Sequence, residues 1–282
     1  MDYATIGNEF MEVTVDLNGG ALHSIIDRRD GENVMWDGSC GWKRRDRVLF
    51  PFVCRRLDGT YTAGGKEYEI GAHGFAGNSR FAALEKTDES VTLALYSNTE
   101  TLKIYPYDFV LYVKYTLSGN SLSIRYEVIN PADSPLYYSV GGHVGIRIDE
   151  TKTGGNFVRF DKPLKLAYTL DGPFVSGSKD VNVTEFEATK ELFKKEDTIM
   201  LATDGSVGLT VERAGGKKLG FSVSSPVIAF WTDPEEGNFV CVEPWWGLPD
   251  VMPKQSEISE KPFVIRLDGK KRHECGYDIK LL

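Results

Sequence analysis

The chain has 282 residues, of which 41% are hydrophobic and 26% charged, and its formal net charge is -8 at pH 7. This composition is ordinary for a globular protein and argues against disorder, and the negative charge repels phosphate backbones, which argues against a nucleic-acid partner. The length accommodates two ordinary domains or one large all-β domain.

The cysteines and the N-terminus indicate a reducing compartment. Cys40, Cys54, Cys241 and Cys275 show no paired spacing, so neither a zinc motif nor a disulfide framework is predicted. The first ten residues, MDYATIGNEF, lack a basic start followed by an apolar run, and no apolar stretch approaches the ~20 residues of a membrane helix. We therefore expect a cytoplasmic protein with no signal peptide and no membrane partner.

Strand patterns dominate the chain. MEVTVDLNGGALHSII (11–26) alternates apolar and polar residues on both sides of Asn18-Gly19-Gly20, which predicts a hairpin. FVLYVKYTLSGNSLSIRYEVIN (109–130) and VGLTVERAGGKKLGFSVSS (207–225) predict two more. Further predicted strands are VTLALY, LYYSVGGHVGIRI, VIAFW, NFVCVEPWW, FVIRL and ECGYDIKLL.

Two segments depart from the strand pattern. EATKELFKKED (187–197) spaces two apolar residues among charges and predicts a short surface helix. The interval 37–80 is rich in loops, where sites tend to be built, and its basic cluster WKRRDR (42–47) is interpreted as a solvated turn. Frequent strands separated by Gly, Asn and Asp predict an all-β antiparallel sandwich or barrel with few short helices. The absence of repeats and linkers favours a single domain over residues 1–282.

Two of the four histidines have unusual surroundings. His143 ends a predicted strand and shares a face with Gly141, which predicts a hollow beside the imidazole ring. That pattern fits a functional histidine and equally a bulge or barrel corner with an incidental histidine. His73 lies in the glycine-containing connection EIGAHGFAG (69–77). The other two, His23 and His273, are interpreted as a strand-face residue and a solvated residue.

Three further side chains are candidates for chemistry. Glu243 follows the apolar run FVCV, and a carboxylate among apolar neighbours needs a partner or a function. Trp245 and its neighbour Trp246 offer a flat apolar surface on which a sugar can stack, although core packing is also ordinary for tryptophan. Arg55 can present its donors to hydroxyls or carboxylates, although a structural ion pair is the commoner role. Serine-nucleophile, phosphate-loop and His-Glu-x-x-His motifs are absent.

Three segments resemble the aldose 1-epimerases, or galactose mutarotases, and within that family its LacX-like branch. They are LFPFVCRRLDGTYTAGGKEYEIGAHGFAG (49–77), YYSVGGHVG (137–145) and VCVEPWWGLPD (240–250), and their order fits over essentially the whole chain. The resemblance implies a large antiparallel β-sandwich with a sugar site in an open cleft. It also implies interconversion of the α and β anomers of a free aldohexose, such as galactose or glucose, without a metal or an organic cofactor. The expected partner is a monosaccharide, and both a monomer and a homodimer are compatible.

The resemblance implies a role for each matching residue. Glu243, before Pro-Trp, matches the general base, and His143, after Gly-Gly, matches the general acid. His143 suits this role if it is protonated near neutral pH, which a nearby carboxylate would favour. His73 matches the histidine of the His-Gly-Phe motif that binds the sugar near its ring oxygen. Arg55 matches the arginine that follows a Val-Gly pair.

The chain also departs from the family pattern. Cys54 replaces the glycine before the arginine, Val144 stands where proline commonly follows the histidine, and Gly77 stands where many members have arginine. The last two changes are expected to reshape the cleft. The family's aspartate that holds sugar hydroxyls matches no clear segment, and Asp233, after Phe-Trp-Thr, is the candidate substitute.

Two alternatives to a free-sugar epimerase stay open. A hexose-6-phosphate 1-epimerase needs a basic pocket, for which Arg45, Arg56 and Arg80 are the candidates. A non-catalytic carbohydrate-binding protein would bind sugar without raising the rate of anomer exchange. A glycosidase is disfavoured because it needs a second acid beside Glu243, and none is evident.

Overall fold

A computed structural model describes residues 2–149, 151, 155–253 and 257–282 of the chain. Its first strands are β1 (Tyr3–Gly7), β2 (Met11–Asp16), β3 (Ala21–Asp27), β4 (Glu32–Asn33), β5 (Thr60–Ala63), β6 (Lys66–Glu69), β7 (Ala82–Lys86), β8 (Ser90–Tyr96), β9 (Val110–Ser118), β10 (Ser121–Ile129), β11 (Leu136–Tyr138), β12 (Val140–Gly141) and β13 (Val144–Arg147). They continue with β14 (Phe157–Asp171), β15 (Phe174–Glu187), β16 (Ile199–Ala202), β17 (Val207–Glu212), β18 (Lys218–Val223), β19 (Val227–Trp231), β20 (Phe239–Trp246), β21 (Ile265–Leu267) and β22 (Arg272–Leu281). The helices are α1 (Thr101–Ile104) and α2 (Lys190–Glu196), with 3₁₀ turns at Leu57–Gly59, Ala76–Asn78 and Ile258–Glu260.

The strands form one large antiparallel sheet and three smaller ones. Within the described residues the large sheet has 14 strands, in the order β12-β20-β19-β16-β14-β17-β18-β22-β10-β9-β8-β7, with β13 on β20 and β15 on β14. A second sheet holds β1 to β4, and β5–β6 and β11–β21 form two-stranded pairs. The predicted all-β antiparallel fold with few short helices is confirmed.

All three predicted hairpins are present. They are β2–β3, β9–β10 and β17–β18, each paired antiparallel. In β10 every second side chain is buried, including Leu122, Ile124 and Tyr126, because successive side chains of a strand point to opposite faces. The same alternation occurs in β2 and β9, and their buried faces contribute to one apolar core.

The segment LYYSVGGHVGIRI is three short strands and not the single strand predicted. β12 and β13 both pair with β20, through Gly141 with Trp245 and Val144 with Val242, and the ladder is interrupted between these pairs. The interruption faces Pro244, which has no N–H to donate to a ladder. The register across the gap sets residue 143 opposite residue 243.

The helix prediction for residues 187–197 is confirmed by α2. Its N-cap is Thr189, whose hydroxyl oxygen accepts a hydrogen bond from the N–H of Leu192 at 3.1 Å, and the helix buries Phe193 against the core. The long hairpin β14–β15 just before it was not predicted. No helix among the described residues combines the length and the apolar character that crossing a membrane requires.

Candidate active site

A cavity of about 410 Å³ lies where β19 and β20 meet five connecting segments. Its walls come from residues 42–55, 72–73, 143, 172–173 and 197–198 and from the two strands. The lining residues are Trp42, Arg47, Cys54, Arg55, Ala72, His73, His143, Gly172, Pro173, Asp197, Thr198, Trp231, Glu243 and Trp245. The loop-rich interval 37–80 therefore contributes six of these fourteen residues, as expected of loops on a β-scaffold.

Glu243 and His143 contact each other in this cavity. Nε2 of His143 lies 3.2 Å from Oε2 of Glu243, and the two residues are only 7% and 1% exposed. The contact follows from the register of β12 and β13 on β20, which sets residue 143 opposite residue 243. Residues opposite each other on neighbouring antiparallel strands bring their side chains together. The hollow predicted beside His143 at Gly141 is not there, because a Cβ at Gly141 would meet Cδ1 of Trp245 at 2.9 Å.

Burial governs the protonation of this pair. Removal from water raises the pKa of Glu243 well above its usual value, and the nearby Asp46 carboxyl raises it further. Removal from water lowers the pKa of His143 to about 3, and the charges of Arg47 and Arg44 add to this lowering. The expectation that a nearby carboxylate keeps His143 protonated near neutral pH is wrong for the free protein. The two residues instead hold one proton between them.

The stretch 42–47 is not simply a solvated turn, because Trp42 and Arg47 line the cavity, whereas Lys43 and Arg44 are exposed. The Trp42 indole stacks on the His143 ring, with centroids 4.8 Å apart and planes at 30°. Asp46 is buried, and its carboxylate accepts the backbone N–H groups of His143 at 3.2 Å, Leu22 at 2.9 Å and Arg47 at 2.7 Å. The stretch therefore positions His143 in two ways, by stacking on its ring and by accepting a hydrogen bond from its backbone N–H.

His73 is held by the backbone of Cys54. The N–H of Cys54 donates to Nδ1 of His73 at 3.0 Å, and the N–H of His73 donates to the carbonyl of Cys54 at 2.8 Å. A backbone N–H always donates, so Nδ1 must be unprotonated and Nε2 carries the ring hydrogen. Removal from water and the charge of His143 lower the pKa of His73 well below its usual value. His73 is therefore a neutral donor beside His143, with ring centroids 5.4 Å apart.

The replacement of glycine by Cys54 places a side chain on left-handed backbone. Cys54 has φ 57°, a region in which glycine is favoured. Its thiol contacts the carbonyl of Pro173 at 3.4 Å, at the β14–β15 turn that lines the cavity. Burial raises the pKa of this thiol to about 11, so it stays protonated at neutral pH.

The basic side chains of the cavity are Arg47 and Arg55. Arg55 is exposed at the cavity wall, where the sequence placed a substrate-binding residue. The side chain of Arg47 lies directly beside Gly77, where an added Cβ would meet Nε of Arg47 at 2.7 Å. Removal from water and the nearby charge of Arg44 lower the pKa of Arg47 to about 10. The small residue at position 77 thus makes room for Arg47.

The three arginines considered for a phosphate pocket do not line the cavity. Arg45 contacts Nε2 of His23 at 3.0 Å, on a different part of the surface. Arg56 is buried in an ion pair with Asp250, and Arg80 contacts Asp2. That choice of residues was wrong, because a run of charges in sequence does not say which side chain turns toward the cavity.

Asp233 does not line the cavity either. Its Oδ1 accepts the N–H groups of Glu235 and Glu236, both at 3.0 Å, and so closes a turn. The aspartate at the cavity wall is Asp197, which follows α2 and has φ 56°. The aspartate in the turn after a capped helix was not considered, although the sequence ends the helix there. Trp245 lines the cavity as expected, and Trp231 joins it.

Cys241 lies behind the Glu243 and His143 pair. A sulfur, a carboxylate oxygen and an imidazole nitrogen of these residues lie within 4.8 Å of one another. Burial raises the pKa of the Cys241 thiol well above its usual value, and a protonated thiol is a poor metal ligand. The chemistry of this donor set therefore does not favour a metal, and the absence of a metal cofactor stays a prediction.

Together, the fold and the site define an antiparallel β-protein with a cavity at which a buried histidine and a buried glutamate are in contact. The chain belongs to the aldose 1-epimerase family, whose sequence model matches residues 2–266.

Individual proteins are similar to this chain along nearly its whole length. The chain is 27% identical to the plasmid-encoded protein LacX of Lactococcus lactis subsp. lactis, over 98% of each chain. It is similar to a galactose mutarotase related enzyme from Lactobacillus acidophilus, with a TM-score of 0.95 and 26% identity over 99% of this chain and 97% of the other. A galactose mutarotase-like protein from Lactobacillus casei shares the fold, with a TM-score of 0.92 and 24% identity over 99% and 100% of the chains.

Proposed function

We propose that the protein is an aldose 1-epimerase that interconverts the α and β anomers of an aldohexose, with galactose and glucose as the simplest substrates. The observation that carries this proposal is the buried contact between Nε2 of His143 and Oε2 of Glu243, 3.2 Å apart at the cavity surface. Membership of the aldose 1-epimerase family supports it.

The reaction needs two proton transfers, one at each of the two oxygens that are bonded to C1. To open the ring, the C1 hydroxyl loses its proton, the C1–O5 bond breaks as the C1 carbonyl forms, and the ring oxygen gains a proton. Rotation about the C1–C2 bond and the reverse steps then close the ring on the other carbonyl face. Both oxygens are bonded to C1, so the base and the acid must lie close together. No proton, electron or cofactor is consumed.

We assign the base role to Glu243 and the acid role to His143. In the free protein the raised pKa of Glu243 and the lowered pKa of His143 favour the proton on Glu243, so it moves to Nε2 of His143 before the ring opens. After opening a proton is again on Glu243, because Glu243 has taken the proton of the C1 hydroxyl and His143 has given its own to O5. Burial disfavours the separated charges, while the 3.2 Å contact and the sugar hydroxyls offset that penalty in the reacting complex. A pair with one proton in total can therefore run the reaction in both directions.

The surrounding side chains support positioning of the sugar. His73 offers an Nε2–H donor, Arg55 offers guanidinium donors, and Asp197 offers a carboxylate acceptor for hydroxyls. The indole of Trp245 provides an apolar wall next to Glu243. Orientation by such groups lowers the barrier because the reacting atoms are held in place before proton transfer.

The proposal is tested by polarimetry of freshly dissolved α-glucose and α-galactose. Glu243→Gln and His143→Asn are each expected to lower the catalysed rate by ~10²–10⁴-fold, the usual contribution of one positioned acid or base. The matched controls are Glu89→Gln, at an exposed site, and His23→Asn, on strand β3 away from the cavity, and both should keep the wild-type rate. Unchanged rates in either cavity variant, or a wild-type rate equal to the spontaneous one, would contradict the proposal.

A further inference from the structure

Two arginines of the cavity have no carboxylate to neutralise them. Arg47 and Arg55 both line it, and neither forms an ion pair with another described residue. Two other arginines are paired with carboxylates: Arg56 with Asp250, and Arg147 with Asp37 at 2.6 Å. Arg55 is exposed and Arg47 is half-buried, so the donors of both can form charge-assisted hydrogen bonds with an anion that enters the cavity.

The side chain of Arg47 lies against the backbone at Gly77. The lack of a Cβ at Gly77 leaves the necessary space, and Nε of Arg47 is buried without a hydrogen-bond partner. Its neighbour Arg44 is fixed by hydrogen bonds to the carbonyl of Gly77 at 2.7 Å and to Oδ1 of Asn78 at 2.5 Å. A second cation thus stands behind Arg47, and the buried Nε donor has no use within the free protein.

The acidic residues of the lining do not balance this charge. They are Asp197 and Glu243, and Glu243 is already committed to its contact with His143. Within the part of the chain that the structure describes, Asp197 forms no ion pair with either arginine, and it offers at most one negative charge against two positive ones. The cavity therefore has a net positive wall, although the whole chain carries a formal charge of -8. Distant surface charges are screened over ~10 Å in salt solution, so the local arginines determine what binds in contact with them.

Resting on the proposed function, we infer that the preferred substrate is an aldose with an anionic substituent, a phosphate ester or a carboxylate, bound by Arg47 and Arg55. The guanidinium fork matches the oxygens of either group and forms charge-assisted hydrogen bonds with them. The buried Nε of Arg47 would then gain its missing acceptor. The negative substituent would also neutralise the wall beside His73 and His143.

Anomer exchange measured by NMR on matched sugars tests this inference. The panel is glucose, glucose 6-phosphate and glucuronate, with the spontaneous exchange of each sugar subtracted. The kcat/KM is expected to be about 10- to 100-fold higher for an anionic sugar, the range for a hydrogen bond to a charged group. A preference for glucose 6-phosphate identifies a phosphate site, and a preference for glucuronate identifies a carboxylate site. Equal or higher kcat/KM on glucose overturns the inference.

Three variants assign the preference to Arg47. Arg47→Met should reduce the ratio of anionic to neutral kcat/KM by about 10-fold or more. Gly77→Ala should act in the same direction, because its new methyl group displaces Arg47 while residue 77 has no left-handed φ to strain. Arg45→Met removes a charge from the same stretch but outside the cavity and should leave the ratio unchanged. A ratio that survives both cavity variants overturns the assignment.

Calorimetry separates failure of this inference from failure of the proposed function. Binding of the same three sugars is measured on the wild-type protein and on Arg47→Met. Tighter binding of an anionic sugar that depends on Arg47, without any catalysed exchange, would refute the epimerase and support the anionic ligand. Catalysed exchange with equal affinity for neutral and anionic sugars would support the epimerase and overturn the anionic ligand.

Discussion

Cys54 and His73 are joined by two hydrogen bonds across left-handed backbone. The N–H of Cys54 donates to Nδ1 of His73, and the N–H of His73 donates to the carbonyl of Cys54. Both residues have positive φ, 57° and 63°. This reciprocal pair fixes the ring of His73 and its tautomer at the cavity wall, because a protonated Nδ1 would set two donors against each other.

We predict that His73 stays neutral with its hydrogen on Nε2. Removal from water, the neighbouring His143 and the cavity arginines all lower its pKa, so it should not titrate between pH 5 and 8. Long-range ¹H–¹⁵N correlation spectra of the imidazole rings measure this directly, with His73→Asn used to assign the signal. A titration of His73 near the ordinary value of ~6.5 would contradict the hydrogen-bond pattern.

The catalysed rate should depend on pH in a way that differs from that of an exposed histidine. The pair of His143 and Glu243 works with one proton, and it gains a second only as the pH falls toward about 3, the lowered pKa of His143. It loses the first only as the pH rises through the raised pKa of Glu243. We therefore expect kcat/KM on glucose to show no acid limb between pH 7 and pH 5, because His143 gains its second proton only toward pH 3. An acid limb centred near ~6.5 would show that His143 titrates as a free imidazole.

Asp197, and not Asp233, is expected to hold the sugar hydroxyls. Asp197→Asn should lower kcat/KM by about 10-fold or more, the effect of weakening a charged hydrogen bond. Asparagine tolerates the left-handed φ of 56° at this position, so the backbone should be kept. Asp233→Asn is the matched control, because its Oδ1 can still accept the two turn N–H groups. Equal losses in both variants would place the sugar elsewhere in the cavity.

Glu243 and His143 should behave as one unit in the proposed reaction. If the transfer to Glu243 and the transfer from His143 occur in one step, removing either partner disables both transfers, and the double variant should be no slower than the slower single one. The rates of Glu243→Gln, His143→Asn and the double variant, measured by anomer exchange, test this. Multiplied losses in the double variant would mean that the two groups act independently.

The sequence predicted the parts of the fold that depend on local patterns. The hairpin β9–β10 shows strict alternation and a short glycine turn, both readable within a few residues. The hairpin β14–β15 was missed because most of its side chains are exposed or half-buried, so little apolar alternation marks it. The break between β12 and β13 was missed because its cause, Pro244, lies on a strand a hundred residues away.

The sequence identified those cavity residues whose immediate neighbours form a recognisable motif. Glu243, His143, His73 and Arg55 were each marked by their immediate neighbours, and all four line the cavity. The contribution of residues 42–47 could not be read from the sequence, because a run of charges usually lies in solvent. The burial of Asp46 in this stretch depends on hydrogen bonds from the backbone N–H groups of Leu22 in β3 and of His143, which only the folded chain brings together.

Among the described carboxylates outside the cavity, Asp250 should be the one whose replacement lowers the free energy of unfolding most. It is buried between two cations, in an ion pair with Arg56 and with Nζ of Lys261 at 3.1 Å, and it accepts the N–H of Leu57 at 2.6 Å. The side chains of all three charged residues are at most 4% exposed. Asp250→Asn would leave two buried cations facing each other and should lower the free energy of unfolding by about 3–5 kcal/mol.

Urea unfolding of a small set of variants tests this expectation. Asp250→Asn combined with Lys261→Met should regain part of the loss, because the second variant removes one of the unpaired cations. Asp268→Asn is the matched control, since its ion pair with Arg266 at 2.9 Å is exposed and should contribute about 0–1 kcal/mol. The ion pair would have no special role if Asp250→Asn and Asp268→Asn destabilised the protein equally. A double variant less stable than Asp250→Asn would show that Lys261 stabilises the fold through its packing and not through its charge.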